Sequence, residues 1–118
     1  MDRILIVDDE FLIRYTLEEG LKDRGYDAYS AATVEEGLEF VRKYHPGVLL
    51  LDNLLENSVG MDEIVNFKNA DEELQVIIMT AYGSVSQAVE ATKRGAYDYI
   101  LKPFDVDEIE DRKSVVEG

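Results

Sequence analysis

The chain contains no cysteine, and it sets only 12 lysines and arginines against 26 aspartates and glutamates. Without cysteine no disulfide can form, which fits a reducing, cytoplasmic setting. The shortage of basic residues leaves a formal charge of −14, so direct nucleic-acid binding by this segment is not expected. No apolar run approaches the ~20 residues of a membrane span, and Met1-Asp2-Arg3 leads straight into a strand-like run rather than a signal peptide. Repeats, linkers and low-complexity stretches are also missing. What remains is 118 residues, 46% of them hydrophobic. That is enough for one core, since a domain of this size buries about two thirds of its unfolded surface.

The most informative stretch is Val48 to Asp52, VLLLD. An unbroken apolar run between polar neighbours suits a strand buried on both faces, as in a parallel sheet, and puts Asp52 at its carboxyl end. Ile4 to Val7 repeats the pattern and ends in Asp8-Asp9-Glu10. Between these runs, Ile13, Leu17 and Leu21 mark a helix over Phe11 to Arg24 stopped by Gly25, and Asp27 to Ala31 is a weaker strand. Thr33 and Glu36 form a capping box for a helix that carries Val34, Leu38 and Val41 and runs to Tyr44, before His45-Pro46-Gly47.

Past the Asn53 to Val59 loop and Gly60, a helix is expected from Met61 to about Ala70, then a strand at Gln75 to Thr80. Ser84 and Gln87 supply another capping box, with Val85, Ala88 and Val89 read as inward, and Gly95 ends that helix. Tyr97 to Leu101 is the last strand, running into Lys102-Pro103, and Asp105 with Glu108 caps a final helix. There Val106 and Ile109 begin a stripe that Arg112 and Lys113 interrupt before Val115-Val116, so that helix is expected to be short or loosely docked.

Five strands alternating with five helices predict the α/β class: a three-layer, doubly wound, five-stranded parallel sheet in the flavodoxin-like order 2-1-3-4-5. In that order strands one and three are neighbours at the switch point, so Asp8, Asp9 and Asp52 converge on one rim. Two carboxylates about 4 Å apart repel by roughly 4 kcal/mol at an effective dielectric of 20, so such a cluster needs compensation. A hard divalent cation held by oxygen ligands, Mg²⁺, is the simplest answer. With charge on the transferring oxygens neutralised, a carboxylate can attack phosphorus to give an aspartyl phosphate. Thr80 and Lys102, at the ends of strands four and five, offer a hydroxyl and an ammonium to a phosphoryl group. His45 falls on the opposite rim and is given no role.

The residues ILIVDDE at Ile4 to Glu10, LLLD at Leu49 to Asp52 with Gly60 beyond, MTA at Met79 to Ala81 and YDYILKPF at Tyr97 to Phe104 resemble the receiver domain of two-component response regulators. AYGSVSQAVEATKRGAYDYILKPF is most like receivers of nitrogen-regulation-type transcriptional activators. The resemblance covers essentially all of residues 1–118 as one receiver domain. It implies that Asp52 accepts phosphate from a sensor histidine kinase, and that Asp8, Asp9, Asp52 and the Leu54 backbone carbonyl bind Mg²⁺, Asp9 more directly than Asp8. Thr80 and Lys102 would hold the phosphoryl group, the Lys102-Pro103 peptide would be cis, and Tyr99 would be the switch aromatic. The readout would be the face of helix four, strand five and helix five, a candidate homodimer surface, acting on an output domain that is transcriptional. Such a receiver promotes its own phosphorylation and dephosphorylation without an external substrate.

Two departures carry consequences. Where the family usually has proline four residues past the phosphoacceptor, this chain has Glu56, implying weaker metal binding or a mobile loop. Leu54 and Tyr82 are both bulky, which implies an obstructed hydrolytic water and a long-lived phosphoryl group. Glu117-Gly118 reads as a junction, as if the receiver were cut from a longer regulator. The competing reading is a Mg²⁺-dependent phosphohydrolase of the haloacid-dehalogenase type. That layout puts its nucleophile at the end of the first strand with a second Asp two residues on, a spacing Asp8-Asp9-Glu10 lacks.

Overall fold

The strand β3 (Val48–Asp52) is buried at every position and lies at the centre of one five-stranded parallel sheet. The computed structural model describes residues 3–81 and 83–117, with side chains through residue 111. In chain order the elements are β1 (Arg3–Val7), α1 (Phe11–Lys22), β2 (Asp27–Ala31), α2 (Val34–Tyr44), β3, α3 (Gly60–Ala70), β4 (Gln75–Thr80), α4 (Val85–Lys93), β5 (Asp98–Leu101) and α5 (Val106–Glu117). The sheet order is β2-β1-β3-β4-β5, as the alternation predicts.

The unbroken apolar strands have a simple cause. Successive strand residues point to opposite faces, and both faces are covered. Leu5, Val7, Leu49, Leu51, Val76 and Ile78 pack on one side with Val34, Val41, Ile64 and Phe67 of α2 and α3. Ile4, Ile6, Val48, Leu50, Ile77 and Met79 pack on the other with Leu17 and Leu21 of α1 and Ile109 of α5. Each large apolar side chain so buried contributes about 1.5–3 kcal/mol.

The local signals act largely as read. Thr33 Oγ1 accepts from the Glu36 N–H, and Ser84 Oγ from the Gln87 N–H, at 3.2 and 3.1 Å. Gly25 and Gly95 follow their helices with φ of 90° and 107°. His45 itself takes the left-handed position after α2, at φ 49°. Its Nδ1 lies 3.3 Å from Asp71 Oδ2, before β4 and thus at the amino-terminal rim.

Three expectations need correction. Val85 and Val89 do not face inward: they are 81% and 48% exposed, and Ala91 is the buried residue of α4. Ser84–Gln87 is half a capping box, because the buried Oε1 of Gln87 finds no partner among the described residues. Of the two alternatives for the final helix, shortness is overturned, since α5 runs on to Glu117, while the side chains past residue 111 that would test its docking lie outside the described ones. Among the described residues no helix is long and apolar enough to cross a membrane.

Candidate functional site

Parallel pairing in register brings the strand ends to one rim. Val7 pairs with Leu51, so Asp8 and Asp9 follow β1 beside Asp52, and Thr80 pairs with Leu101 one residue before Lys102. One carboxylate oxygen from each of Asp8, Asp9 and Asp52 lies within 4.8 Å of the others. Asp52 and the Asp8-Asp9 pair, more than forty residues apart in the sequence, are therefore one cluster.

The two neighbouring aspartates differ sharply. Asp8 is fully buried and bonded at both carboxylate oxygens: its Oδ1 accepts from the Glu10 N–H at 2.9 Å, its Oδ2 from Lys102 Nζ at 2.9 Å, and its own N–H donates to the Ala31 carbonyl at 3.2 Å. Asp9 is exposed and has no hydrogen-bond partner among the described residues. It lines a groove shared with Thr33, Glu35, Glu56 and Glu63, so Glu56 brings a further acid to the groove that Asp9 borders.

Asp52 is 5% exposed, and its Oδ1 accepts from Lys102 Nζ at 3.1 Å. Burial, followed by the charge of Asp8, pushes the Asp52 carboxyl above its ordinary range, against the pull of Lys102 and of the Leu54 N–H. Burial alone would lower the Lys102 ammonium, but its bonds to Asp8 and Asp52 outweigh that and leave its pKa raised. Lys102 is thus a fixed cation between two acids. With three carboxylates ionised, two negative charges remain without a partner in the cluster. An oxygen-only donor set with that surplus fits a hard divalent ion of the Mg²⁺ kind.

The surroundings fix these groups in place. Thr80 is buried, and its carbonyl accepts from the Lys102 N–H at 2.7 Å. The Lys102-Pro103 peptide is cis. Asn53 is buried and acts as a splice: its N–H donates to the Met79 carbonyl, its carbonyl accepts from Gly60 N–H, and its Oδ1 accepts from the Met61 N–H. Gly60 must be glycine, because a Cβ there would run into the backbone carbonyl of Asp52. The loop between them turns back on itself through a Leu54 to Val59 bridge and a Leu55 N–H to Ser58 carbonyl bond. Leu54 is 56% exposed, and the contact it makes with Asp52 is through its N–H. Tyr99 is half-buried beside α4, with its hydroxyl donating to the Ser84 carbonyl at 3.3 Å. Tyr82 lies outside the described residues.

Two participants escaped the sequence reading. Asn53 follows Asp52 in what reads as the start of an irregular loop, and only the fold shows its side chain capping α3. Arg14 lies on the first turns of α1 in an ordinary amphipathic pattern, yet its Nη1 donates to the Asp8 carbonyl at 2.7 Å.

A doubly wound sheet with acids from β1 and β3 and a lysine after β5 at one rim defines the class. The response regulator receiver domain matches residues 4–113, and the chain belongs to that family: it is a receiver domain of two-component response regulators. It is 40% identical over 93% of its length to the sporulation initiation phosphotransferase F of Bacillus subtilis, covering 89% of that protein. It is 37% identical over 92% of its length to the regulatory protein AtoC of Escherichia coli, but covers only 24% of it. The solution structure of the beryllofluoride-activated NtrC4 receiver domain dimer superposes with a TM-score of 0.90 at 34% identity, covering 99% of this chain and 98% of that one. The nitrogen-regulation-type likeness therefore holds at the level of the receiver. A haloacid-dehalogenase assignment is not supported, since Asp52 ends the third strand rather than the first.

Proposed function

We propose that Asp52 is the phosphoacceptor of a phosphorelay receiver that takes its phosphoryl group from a histidine kinase with Mg²⁺ bound at Asp8, Asp9, Asp52 and the Leu54 carbonyl. The observation that carries this is the buried Asp52 carboxylate, 3.1 Å from Lys102 Nζ, inside the acidic cluster. A divalent ion supplies charge neutralisation for the transferring oxygens when bound. Asp9 is the exposed ligand, while Asp8 is already committed to Glu10 and Lys102 and acts at longer range. An Asp52 oxygen attacks phosphorus, an acyl phosphate P–O bond forms, the P–N bond to the donor imidazole breaks, and the electron pair leaves with the imidazole nitrogen. Lys102 Nζ and the Thr80 hydroxyl hold the phosphoryl oxygens, and the chain catalyses its own phosphorylation and dephosphorylation.

In this reading residues 1–118 form one receiver domain of a cytoplasmic regulator, with Tyr99 turning inward as Thr80 moves towards the phosphoryl group. The face of α4, β5 and α5 then reports to an output domain or a second copy. The chain's short coverage of AtoC and the dimeric NtrC4 receiver support this reading. Acetyl phosphate with Mg²⁺ should add one phosphoryl group to the intact protein, and Asp52→Asn should abolish the labelling. Intact-mass measurement decides it, and full labelling of Asp52→Asn would reassign the acceptor.

A further inference from the structure

Asp8 is held at four points, and three of them belong to the acidic cluster or to the backbone around it. The fourth comes from α1. Arg14 Nη1 donates to the Asp8 carbonyl at 2.7 Å, while the guanidinium carbon lies 5.8 Å from the centre of the Phe11 ring. That carbonyl belongs to the peptide joining Asp8 to Asp9. A planar peptide has no soft torsion of its own, so fixing its oxygen fixes the direction in which the chain enters Asp9. Asp9 is exposed and has no hydrogen bond of its own among the described residues, so this peptide sets where its Cα stands and hence how far its carboxylate can reach.

We propose that Arg14 is a positioning residue for the divalent-cation site, holding the Asp8-Asp9 peptide so that the Asp9 backbone keeps its carboxylate within reach of Asp52. The inference rests on the metal-dependent reading above. Arg14 touches neither metal nor phosphoryl group and acts through the backbone. Phe11 supports it: the ring lies where a guanidinium gains cation–π attraction, which limits the orientations of the long side chain.

Geometry and charge make opposite demands, which makes the idea testable. Removing a cation from an acidic site would tighten Mg²⁺ binding if charge were all that mattered. Loosening the peptide would weaken it. Calorimetric titration of Mg²⁺ into the intact chain should show about a tenfold rise in Kd for Arg14→Ala, the lower end of what a bond from a charged donor contributes. Arg14→Gln keeps a donor without the charge and should recover part of that loss. Acetyl phosphate labelling should need correspondingly more Mg²⁺ for half-maximal rate, with most of the loss recovered at saturating Mg²⁺.

An unchanged or tighter Mg²⁺ affinity in both variants would overturn the proposal, as would a labelling rate that stays equally depressed at saturating Mg²⁺. A wild-type chain that binds no Mg²⁺ would instead overturn the functional reading on which it rests. Should Arg14→Ala fail to fold, Arg14→Gln and Arg14→Lys carry the same comparison.

Discussion

Helices α3 and α4 cover the same face of the sheet and are held there by different physics. α3 buries Gly60, Ile64 and Phe67, and its first residue abuts the backbone of Asp52. α4 buries only Ala91 and leaves Val85 and Val89 to solvent. Its attachments are polar and peripheral: the Tyr99 hydroxyl on the Ser84 carbonyl, and Arg94 reaching Asp62 of α3 at 2.6 Å. Exposed ion pairs of this kind contribute about 0–1 kcal/mol each, against several for a buried aromatic ring. One helix is anchored through its core side chains, and its neighbour is held mainly at its edges.

The contrast breaks most visibly at Phe67. Truncating this fully buried ring by Phe67→Ala should cost about 4 kcal/mol, read as a lower denaturation midpoint in urea. A loss below about 1 kcal/mol would mean that α3 is no better anchored than α4.

A smaller effect of opposite sign is expected at the rim. The folded pKa of Asp52 is raised, so its protonated form favours the fold at low pH, and that contribution is lost as pH rises through the folded value. At neutral pH the ionised group therefore costs stability. Without Mg²⁺, Asp52→Asn should raise Tm by about 4 °C at pH 7, roughly 1 kcal/mol for a domain of this size. The gain should shrink as the pH falls towards 4. Scanning calorimetry reads both, and a destabilised variant at pH 7 would show that the ion pair with Lys102 outweighs burial.

The smallest effect should come from α4. Val85→Ser, at a position 81% exposed, should change stability by less than about 0.5 kcal/mol. A larger loss in urea titration would place Val85 in a contact that holds the helix, and the distinction between the two helices would fail.

Strands and strand ends were legible in the sequence because burial on both faces leaves an unbroken apolar run, and the residue closing such a run must lie at a sheet edge. Asp8, Asp52, Thr80 and Lys102 were all placed on that logic. The facing of α4 was not legible for a related reason. Hydrophobic bulk is a proxy for burial, and it favoured Val85 and Val89, whereas the helix turns its small Ala91 inward. Arg14 and Asn53 went unread because their partners are backbone carbonyls and N–H groups, which leave no mark in side-chain patterning. The continuation of α5 past Arg112 also ran against apolar periodicity, since a helix can persist through charged positions once capped and docked at Ile109.

The bond between the Asn53 carbonyl and the Gly60 N–H, 2.7 Å long, pinches residues 54–59 into an excursion that leaves and rejoins the scaffold at almost one point. Lengthening such a loop is inexpensive, about 0.6 kcal/mol per doubling. The middle of the segment that overhangs the rim can therefore change length between two fixed ends, while Leu54, whose N–H reaches the Asp52 carboxylate, stays tied to the aspartate beneath.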